Sequence, residues 1–421
     1  MEATGERGIM PVTLNQDSAK PAITRTHPGA LSYYLILGSS LILLIFGITM
    51  VMSASSVTAI RTGASPYNDA KSQLLYAAIA IIPAYILSRI SLVWLRRIAL
   101  PALIGSWLLG ALIFTPLAAS KGGNAAWIVI PGINRTLQPS EFIKLTVVLF
   151  LAAVLSAHLK RLHDWHYLVV PLGAVGVSLA LVLGGHDLGT AMILAMIVAV
   201  MLICARIPNK FLGLLALVGV AVLVFFIIDN PTRIARIMEF LPGVSHAEEG
   251  TSDALGYQPR HGRWALATGG VFGVGLGASR EKWAYLPEAH NDYIFAIIGE
   301  ELGLVGTSLV LVLFAVLAWG IFRLYQVLTD PFARLLAAGL GTWLIGQAFI
   351  NIFVVLGLLP VIGVPLPLIS SGGSSLISTI MAIGVLLACA RTEPGASVAL
   401  AQSTSAVRRS LSVVGRRARR R

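Results

Sequence analysis

Five ionisable side chains stand close together in one stretch of an otherwise apolar chain. The stretch reads YLPEAHNDYIFAIIGEELGLVG and contains Glu288, His290, Asp292, Glu300 and Glu301. It passes from polar to apolar sequence, which places these groups at a membrane boundary, where they cost free energy unless they are paired, solvated or used. A carboxylate beside an apolar boundary can have a raised pKa and act as a general base. The pattern therefore favours a functional acid cluster.

A simpler interpretation is that Asn291 or Asp292 caps the helix that starts here, because a short acceptor side chain satisfies free amide donors. Capping alone does not account for the other acids and the histidine. If the helix starts early, Glu288 and Asp292 lie on one of its faces, since they are four residues apart.

Groups that could hold an anion occur in other polar segments. Four cations are candidates: Lys121, Arg135, Lys144 and Lys282. Lys144 could instead extend to the membrane interface or pair with Glu141. The run SSGGSS at 370–375 resembles a loop of backbone donors at a helix start, which suits anions, although Gly-Gly is also ordinary loop geometry. Trp127 could be an interfacial anchor, and His186 and Asp187 could cap a helix.

Composition excludes several classes of protein. Of the 421 residues, 56% are hydrophobic and 12% are charged, and the mean hydropathy is +0.82. Soluble domains are nearer 45–50% apolar. The net charge of +12 fits the basic cytoplasmic loops of a membrane protein better than nucleic-acid binding. The sequence has no nucleotide-binding fingerprint and no His/Cys metal cluster, and its two cysteines indicate no disulfide framework.

Apolar runs predict an all-α polytopic membrane protein with about ten transmembrane helices. The predicted spans are Ser32–Ala54, Lys71–Leu87, Ala99–Leu117, Ser140–Ala157, Tyr167–Leu183, a sixth ending near Cys204, Phe211–Ile228, Asp292–Phe322, Leu335–Leu356 and a tenth ending near Ala390. The eighth would measure roughly 46 Å as one helix at about 1.5 Å per residue, so we expect a break or tilt near Gly299–Gly306. Prolines make a plain helix over Gly357–Leu376 untenable.

Ten spans put both termini on one side, together with the turns richest in arginine and lysine, so that side is expected to be cytoplasmic. The predicted organisation is a cytoplasmic tail at 1–31, a transmembrane domain at 32–391 and a basic cytoplasmic tail at 392–421. The polar segment 229–291, between helices 7 and 8, is expected to be a large, structured extracytoplasmic loop. The acid cluster then faces outward, as do the segments 118–139, 184–190 and 357–376.

Four segments resemble the SEDS family of polytopic glycosyltransferases, which polymerise lipid II into peptidoglycan. They are LQPSEFIK (137–144), HDLGTAMIL (186–194), GVGLGASREKWAYLPEAHNDYIFAIIGEELGLVG (273–306) and NIFVVLGLLPVIGVPLPLISSGGSSL (351–376). The opening run at 33–57 is similar to the division branch, FtsW, with the elongation branch, RodA, second.

The resemblance implies a mechanism. The Asp of the PEAH-x-D motif falls on Asp292, which would be catalytic, as the base that deprotonates the acceptor sugar hydroxyl. Transfer would invert the donor's anomeric carbon and release undecaprenyl pyrophosphate. Lys144, in the QPSE-x-x-K motif, would stabilise substrate or leaving-group charge. The other predicted substrate-binding residues are Trp127, Arg135, Glu288, His290, Ser371, Gly372 and Gly373. A divalent cation, Mg²⁺ or Mn²⁺, is plausible at the pyrophosphate, although no metal ligand is assigned.

The chain departs from the family pattern at three places. Ala125 and Ala126 stand where one or two arginines usually precede the tryptophan, so the substrate contact that the resemblance implies for those arginines is not expected here. His186 stands in place of the usual proline, and Asn291 in place of the usual threonine. None of these changes removes Asp292 or Lys144.

The resemblance implies a division-site enzyme that works with a class B penicillin-binding protein and other division-complex membrane proteins. The basic C-terminal tail is expected to contact anionic lipids. An elongation polymerase, a lipid II flippase and a docking scaffold are the alternatives. The ionisable residues gather at the outer face rather than at the bilayer midplane, and no inverted repeat is evident, which favours an enzyme over a transporter. A scaffold would not need Asp292 specifically.

Overall fold

The computed structural model describes residues 29–61, 65, 67–121, 124–132, 135–240, 256–283 and 285–402. Its α-helices in chain order are α1 (Leu31–Arg61), α2 (Asn68–Arg89), α3 (Leu92–Ala111), α4 (Pro139–Ala157), α5 (His166–Gly184), α6 (Leu188–Cys204), α7 (Asn209–Ile228), α8 (Pro231–Phe240), α9 (Tyr257–Gly269), α10 (Ile294–Val327), α11 (Pro331–Gly341), α12 (Gln347–Val355) and α13 (Gly373–Ala390). A short 3₁₀ turn, Leu112–Phe114, extends α3, and a π-helical turn, Thr342–Gly346, joins α11 to α12.

Among the described residues, nine helical segments are long and apolar enough to cross a membrane, and the shorter apolar α6 adds a tenth candidate. The predicted polytopic helical fold is therefore confirmed. The nine include α11, the π turn and α12 as one segment. The helix α7 has no buried residue, which is possible only because lipid is as apolar as its side chains.

Some predicted boundaries were wrong. The helix α3 begins at Leu92, so Arg96 and Arg97 lie inside it rather than in the preceding loop. The connection between the predicted eighth and ninth spans is also shorter than expected, since α10 extends to Val327 and α11 begins at Pro331. Asp330 caps α11 by accepting from the Phe332 amide, with Pro331 at the first helical position. In both cases charged side chains lie within helix ends, which hydropathy alone assigns to loops.

Contacts divide the predicted loops into two groups at opposite ends of the bundle. At one end, Arg323 donates to Ser32 (2.7 Å) and Glu393 (2.5 Å), and Arg96 pairs with Asp330 at 2.6 Å. At the other end, the turn before α10 meets the segment between α12 and α13. Several of the segments predicted to share a side of the membrane therefore contact one another.

The connection between α3 and α4 contains a small antiparallel sheet, which the sequence reading did not predict. Its strands β1 (Ala118–Lys121), β2 (Asn124–Ile130) and β3 (Arg135–Leu137) lie in that order. The β-branched and aromatic run in β2 suits a strand with one face packed on the bundle, and Ala126 and Ile128 are buried on that face.

The predicted large loop is structured where it is described. It contains α8 and α9, followed by turns from Gly270 up to α10. Residues 241–255 and 284 lie outside the described part. So do residues 1–28 and 403–421, which hold the predicted N-terminal tail and the basic end of the C-terminal tail.

The predicted break in α10 occurs at Gly303, whose φ is 66° and ψ is −158°. The break leaves helical backbone groups without their usual partners, and the segment after α9 provides replacements. The amides of Val274 and Gly275 donate to the carbonyls of Glu300 and Glu301 at 2.9 and 3.0 Å. In the other direction, the amides of Leu304 and Val305 donate to the carbonyls of Gly270 and Val271 at 2.9 and 3.2 Å. We call these four bonds the kink exchange.

Replacing Gly303 with alanine should destabilise the protein by about 1–3 kcal/mol or more, because a residue with a Cβ is strained in this conformation. The added carbon would also lie 2.4 Å from the Gly273 amide nitrogen and 2.5 Å from the Val271 oxygen. The control is Gly219→Ala in α7, where nothing lies within 4 Å and alanine favours helix. Thermal unfolding in detergent should show a lower Tm only for Gly303→Ala; equal Tm values would contradict the assignment of strain.

Candidate active site

The backbone just before α10 is held by three hydrogen bonds from distant segments. The carbonyl of His290 accepts from the Ser371 amide at 3.0 Å. The carbonyl of Asn291 accepts from the Ser370 hydroxyl at 2.7 Å, and that of Asp292 accepts from the Asn351 side-chain amide at 2.7 Å. Three consecutive carbonyls are thus fixed in a turn whose own backbone bonds run from the Asn291 and Tyr293 amides to the Glu288 carbonyl, at 3.0 and 3.4 Å.

Asp292 is half-buried, and its carboxylate lies against the Pro/Gly/Ser segment between α12 and α13. A Cβ built on Gly363 would lie 3.5 Å from the Asp292 Oδ2 atom, and Gly363 has a φ of 76°. The positive φ favours glycine here, and the distance places this backbone in ordinary van der Waals range of the carboxylate. A carboxylate at this position is partly withdrawn from water but still accessible, as a general base must be.

The predicted shared helical face of Glu288 and Asp292 is wrong. The helix α10 begins at Ile294, so both acids lie in the preceding turns, and Glu288 has a positive φ of 52°. The N-cap residue of α10 is Tyr293 rather than Asn291 or Asp292. Asn291 instead directs its side-chain amide toward the Glu288 carboxylate, at 3.4 Å.

Lys144 is only 1% exposed, so it does not extend to the membrane interface. Its ammonium donates to Glu141 at 2.8 Å and to the Gln347 side-chain oxygen at 2.9 Å, and it lies 4.8 Å from the centre of the Trp343 ring. Glu141 also accepts from Ser378 at 3.1 Å. The predicted pairing with Glu141 is confirmed, and the pair is compensated by several further contacts, as a buried charge requires.

The α12 helix joins Lys144 to the Pro/Gly/Ser segment. Gln347, which accepts from Lys144, donates to the Pro365 carbonyl at 2.8 Å. Asn351, one turn later, donates to the Val364 carbonyl at 2.8 Å as well as to Asp292. The sequence reading named neither amide, although two amides four residues apart in an apolar span were a signal that could have found them.

Arg135 lies beside the glycines at the start of α13. Its guanidinium is 3.4 Å from the Tyr76 hydroxyl and 5.8 Å from the centre of that ring. The Tyr76 ring in turn packs on Gly373, where a Cβ would lie 2.8 Å from it. The Gln138 amide donates to the Ser374 hydroxyl at 3.0 Å. The structure therefore brings Arg135 next to the predicted anion-binding run, which includes Gly372 and Ser371.

Trp127 lies on the central strand, opposite Ala119 in register and on the face away from the bundle. Ala125 shares the Trp127 face, whereas Ala126 points into the bundle and lines a cleft with an empty volume of about 230 Å³, including space open to solvent. The cleft does not reach Asp292 or Lys144; the other residues lining it are Gly110, Ile113, Pro139, Ser140, Ile143, Leu181, Val182, Gly185 and Asp187.

Asp187 has the capping role proposed for it, since it accepts from the Thr190 amide at 3.0 Å at the start of α6. Its other carboxylate oxygen accepts from the Gln138 side chain at 2.8 Å and lies 3.4 Å from the Ser140 hydroxyl. Ser140 does not act as a helix cap, because α4 begins at Pro139 with Gln138 at the N-cap. Asp187 therefore fastens the α5–α6 link to the start of α4.

Glu300 and Glu301 have structural partners, which corrects their assignment to the acid cluster. Glu301 pairs with Lys282 at 2.9 Å and accepts from Ser53. Glu300 accepts from Ser279 at 2.5 Å and from the Arg280 amide at 2.8 Å. These buried acids fix the segment that follows α9. Lys282 forms its ion pair with Glu301, so it is not placed to bind an anionic ligand.

No group of three His, Cys, Asp or Glu side chains capable of holding a metal ion occurs within the described ranges. Glu288, His290 and Asp292 are close in sequence but do not form such a group. The protein side chains described here do not by themselves fit a complete divalent-cation site.

A histidine–glutamate pair lies in the loop before Asp292. His261 on α9 contacts Glu281 at 2.6 Å and packs against Tyr257 and Trp264. Burial raises the pKa of Glu281, and the hydrogen bond to His261 opposes that rise only in part. The protonated carboxyl is therefore favoured by folding.

Stability should consequently depend on pH through Glu281. The pKa of Glu281 is higher in the folded state than in the unfolded state. Its contribution to the free energy of unfolding is therefore complete below the unfolded-state pKa of about 4.3 and is lost as pH rises through the folded-state pKa. The Tm of the wild type minus that of Glu281→Gln should thus fall between pH 4.5 and pH 7.5. A difference that is constant or grows with pH would contradict this. The measurement is thermal unfolding of both proteins in one detergent.

Comparison with known proteins gives a consistent result. The family model for FtsW, RodA and SpoVE, described as cell cycle protein, matches residues 33–394. A protein of Mycobacterium tuberculosis named "Probable peptidoglycan glycosyltransferase FtsW" is 38% identical over 395 residues, covering 92% of this chain and 73% of the relative. Stage V sporulation protein E of Bacillus subtilis is 36% identical over 356 residues, covering 84% and 95%.

Solved structures share the fold. A chain from a peptidoglycan synthase complex, in which polymerization and crosslinking are coordinated, aligns with a TM-score of 0.65 and 24% identity, covering 85% of this chain and 96% of that one. The rod shape determining protein RodA of Thermus thermophilus aligns with a TM-score of 0.62 and 25% identity, covering 86% and 97%.

Proposed function

Because the chain belongs to the FtsW/RodA/SpoVE family of cell cycle proteins, we propose that it is a peptidoglycan glycosyltransferase of the FtsW type that polymerises lipid II at the division septum. The observation that carries this proposal is the arrangement around Asp292. A half-buried carboxylate is fixed by three backbone bonds at the end of the bundle, where Arg135 and the glycines of the predicted anion-binding run also lie.

In the proposed reaction, Asp292 accepts the proton of the acceptor sugar hydroxyl. The hydroxyl oxygen forms a bond to the donor's anomeric carbon from the face opposite the leaving group, and the bond from that carbon to the pyrophosphate oxygen breaks. The anomeric carbon inverts, the glycan gains one disaccharide unit, and undecaprenyl pyrophosphate departs as an anion. A positioned general base of this kind typically contributes about 10²- to 10⁴-fold to the rate.

The leaving group carries charge that the enzyme must accommodate. Arg135 is exposed beside Tyr76, and the backbone at Ser371, Gly372 and Gly373 precedes α13, where free amides favour anions. Lys144 adds a positive charge beneath this end, held by Glu141 and Gln347. In this proposal Trp127, Glu288 and His290 contact the sugar or peptide part of the substrate from the surrounding segments.

The partner is proposed to be a class B penicillin-binding protein, which cross-links the glycan, together with other membrane proteins of the division complex. In this topology both termini are cytoplasmic and the active site is extracytoplasmic. The basic end of the C-terminal tail, at 403–421 and outside the described residues, contacts anionic lipid. The arginine and lysine bias of the turns at the Arg323 end of the bundle supports this orientation.

The test is polymerisation of purified lipid II by the purified protein with its cognate partner, followed by gel separation of the glycan strands. Strand formation is the expected result. In parallel, the same protein in liposomes is assayed for transfer of labelled lipid II across the bilayer. Lipid transfer without strand formation would replace the proposal with the flippase alternative. A complementation test separates the two roles. Restored septum formation in cells depleted of their FtsW supports the FtsW role, whereas restored rod elongation in cells depleted of their RodA supports the RodA role.

Dependence on Mg²⁺ or Mn²⁺ is a separate proposal, and no step above relies on it. A cation at the pyrophosphate would take most of its oxygen ligands from the substrate and water. Polymerisation measured in EDTA, and again after each metal is restored, tests it directly.

A further inference from the structure

Two buried amides on α12 connect the two candidate residues, although the proposed reaction uses neither amide. Gln347 and Asn351 are each 1% exposed and lie one turn apart on the same helical face. Gln347 holds the Lys144 ammonium at 2.9 Å, and Asn351 holds the Asp292 carbonyl at 2.7 Å. Buried amides commonly serve only to satisfy backbone groups, so their other contacts decide between the two interpretations.

The other bonds that the two side-chain NH2 groups donate end on the carbonyls of two consecutive residues. Asn351 donates to the Val364 carbonyl and Gln347 to the Pro365 carbonyl, both at 2.8 Å. The preceding residue, Gly363, is the one that approaches the Asp292 carboxylate. A chain of four hydrogen bonds therefore runs from Lys144 through Gln347, the consecutive residues Pro365 and Val364, and Asn351 to Asp292.

The orientation of each amide is fixed by its surroundings. Both bonds of Asn351 end on carbonyl oxygens, so its nitrogen must face them. The Gln347 oxygen accepts from both Lys144 and the Trp343 ring nitrogen, at 2.9 and 3.0 Å, so its nitrogen must face Pro365. The π-helical turn directly before Gln347 includes Trp343, and such turns are frequent at functional sites.

We infer that Gln347 and Asn351 are positioning residues that fix the Asp292 carboxylate relative to the Lys144 ammonium and the approaching Gly363 backbone. The inference rests on the proposed function and deepens it, because it assigns how the general base is held. The turn that carries Asp292 has no regular backbone ladder to set its geometry. Misplacement of a catalytic group by about 1 Å can cost about 10²-fold in rate, which is the effect that these bonds prevent.

The test is steady-state polymerisation by the complex with its partner, comparing wild type, Asn351→Ala and Asn351→Asp. We expect Asn351→Ala to lower kcat by about 10- to 100-fold with KM within about threefold. Asn351→Asp keeps the shape but sets a carboxylate against two carbonyls, so its kcat should be at least as low. The control is Phe349→Leu, a side chain on the same helix that is 44% exposed, and it should retain wild-type kcat.

A double-mutant comparison separates positioning from general structural support. If Asn351 acts through Asp292, then Asn351→Ala should slow the Asp292→Asn variant no further. The inference would be overturned if the loss of kcat in the double variant equalled the product of the losses in the two single variants. A rise in KM with unchanged kcat in Asn351→Ala would also overturn it. If Asn351→Ala is not recovered folded, Gln347→Leu must show the same loss of kcat. If the Asn351 variants keep a normal kcat while Asp292→Asn is inactive, the positioning inference is wrong but the proposed function stands. If Asp292→Asn is fully active, the assignment of Asp292 as the base is wrong.

Discussion

Asp292→Asn should lower the polymerisation kcat by about 10²- to 10⁴-fold, the range that a positioned general base supplies. The change keeps the size and shape of the side chain and removes its negative charge and one proton-accepting oxygen. The hydrogen bond from Asn351 ends on the main-chain carbonyl of residue 292, and the neighbouring bonds from Ser370 and Ser371 also end on carbonyls. The variant should therefore keep the wild-type Tm and bind the partner normally.

The matched control for this prediction is Asp229→Asn. Asp229 follows α7 and is exposed, so the same change in charge should leave polymerisation unaltered there. Glycan-strand yield and initial rate are measured for both variants at equal complex concentration. An Asp292→Asn enzyme that polymerises within a few-fold of the wild type would show that this carboxylate is not the base.

Lys144→Met should reduce both stability and polymerisation. It leaves Glu141, 2% exposed, as a buried carboxylate without its cation, and breaking a buried pair in this way typically costs about 3–5 kcal/mol. The ring contact with Trp343 and the bond to Gln347 are lost as well. Thermal unfolding and the polymerisation assay measure the two effects separately.

The double variant Glu141→Gln/Lys144→Met distinguishes a structural pair from a charge that acts on substrate. Neutral replacement of both partners of a buried pair is often tolerated or stabilising, so the Tm should recover most of the loss. If the Lys144 charge serves the leaving group, polymerisation should remain low despite the recovered Tm. A double variant with wild-type stability and wild-type kcat would limit Lys144 to its structural role.

The sequence was sufficient for the features that hydropathy and chain length determine. Apolar runs predicted the bundle, because each span must be long and apolar to cross the bilayer. The excess length of the eighth run predicted the break that occurs at Gly303. The carboxylate beside the apolar boundary was visible as Asp292, since charge is rare in such a chain.

Partners that are distant in the chain could not be predicted, because they depend on which segments fold together. The pair of Lys144 with Glu141 is visible from its spacing of three residues, but nothing in the local sequence joins Lys282 to Glu301. The bonds made by Gln347 and Asn351 depend on a π-helical turn and a proline-rich segment, neither of which has a helical or strand period. The sheet was missed because its strands are short and lie in a polar connection.

The kink exchange has a mechanical consequence. Its four bonds run in both directions between the segment 270–275 and the residues on either side of Gly303, and Glu301 with Lys282 adds a buried ionic link. Separating this segment from α10 would break hydrogen bonds on both sides of Gly303 at once. The segment 270–275 and the part of α10 before Gly303 should therefore move together as one rigid body. This part of α10 begins at Ile294, two residues after Asp292. A load applied to the outer loop by a bound protein would therefore be transmitted to the carboxylate rather than absorbed by the loop.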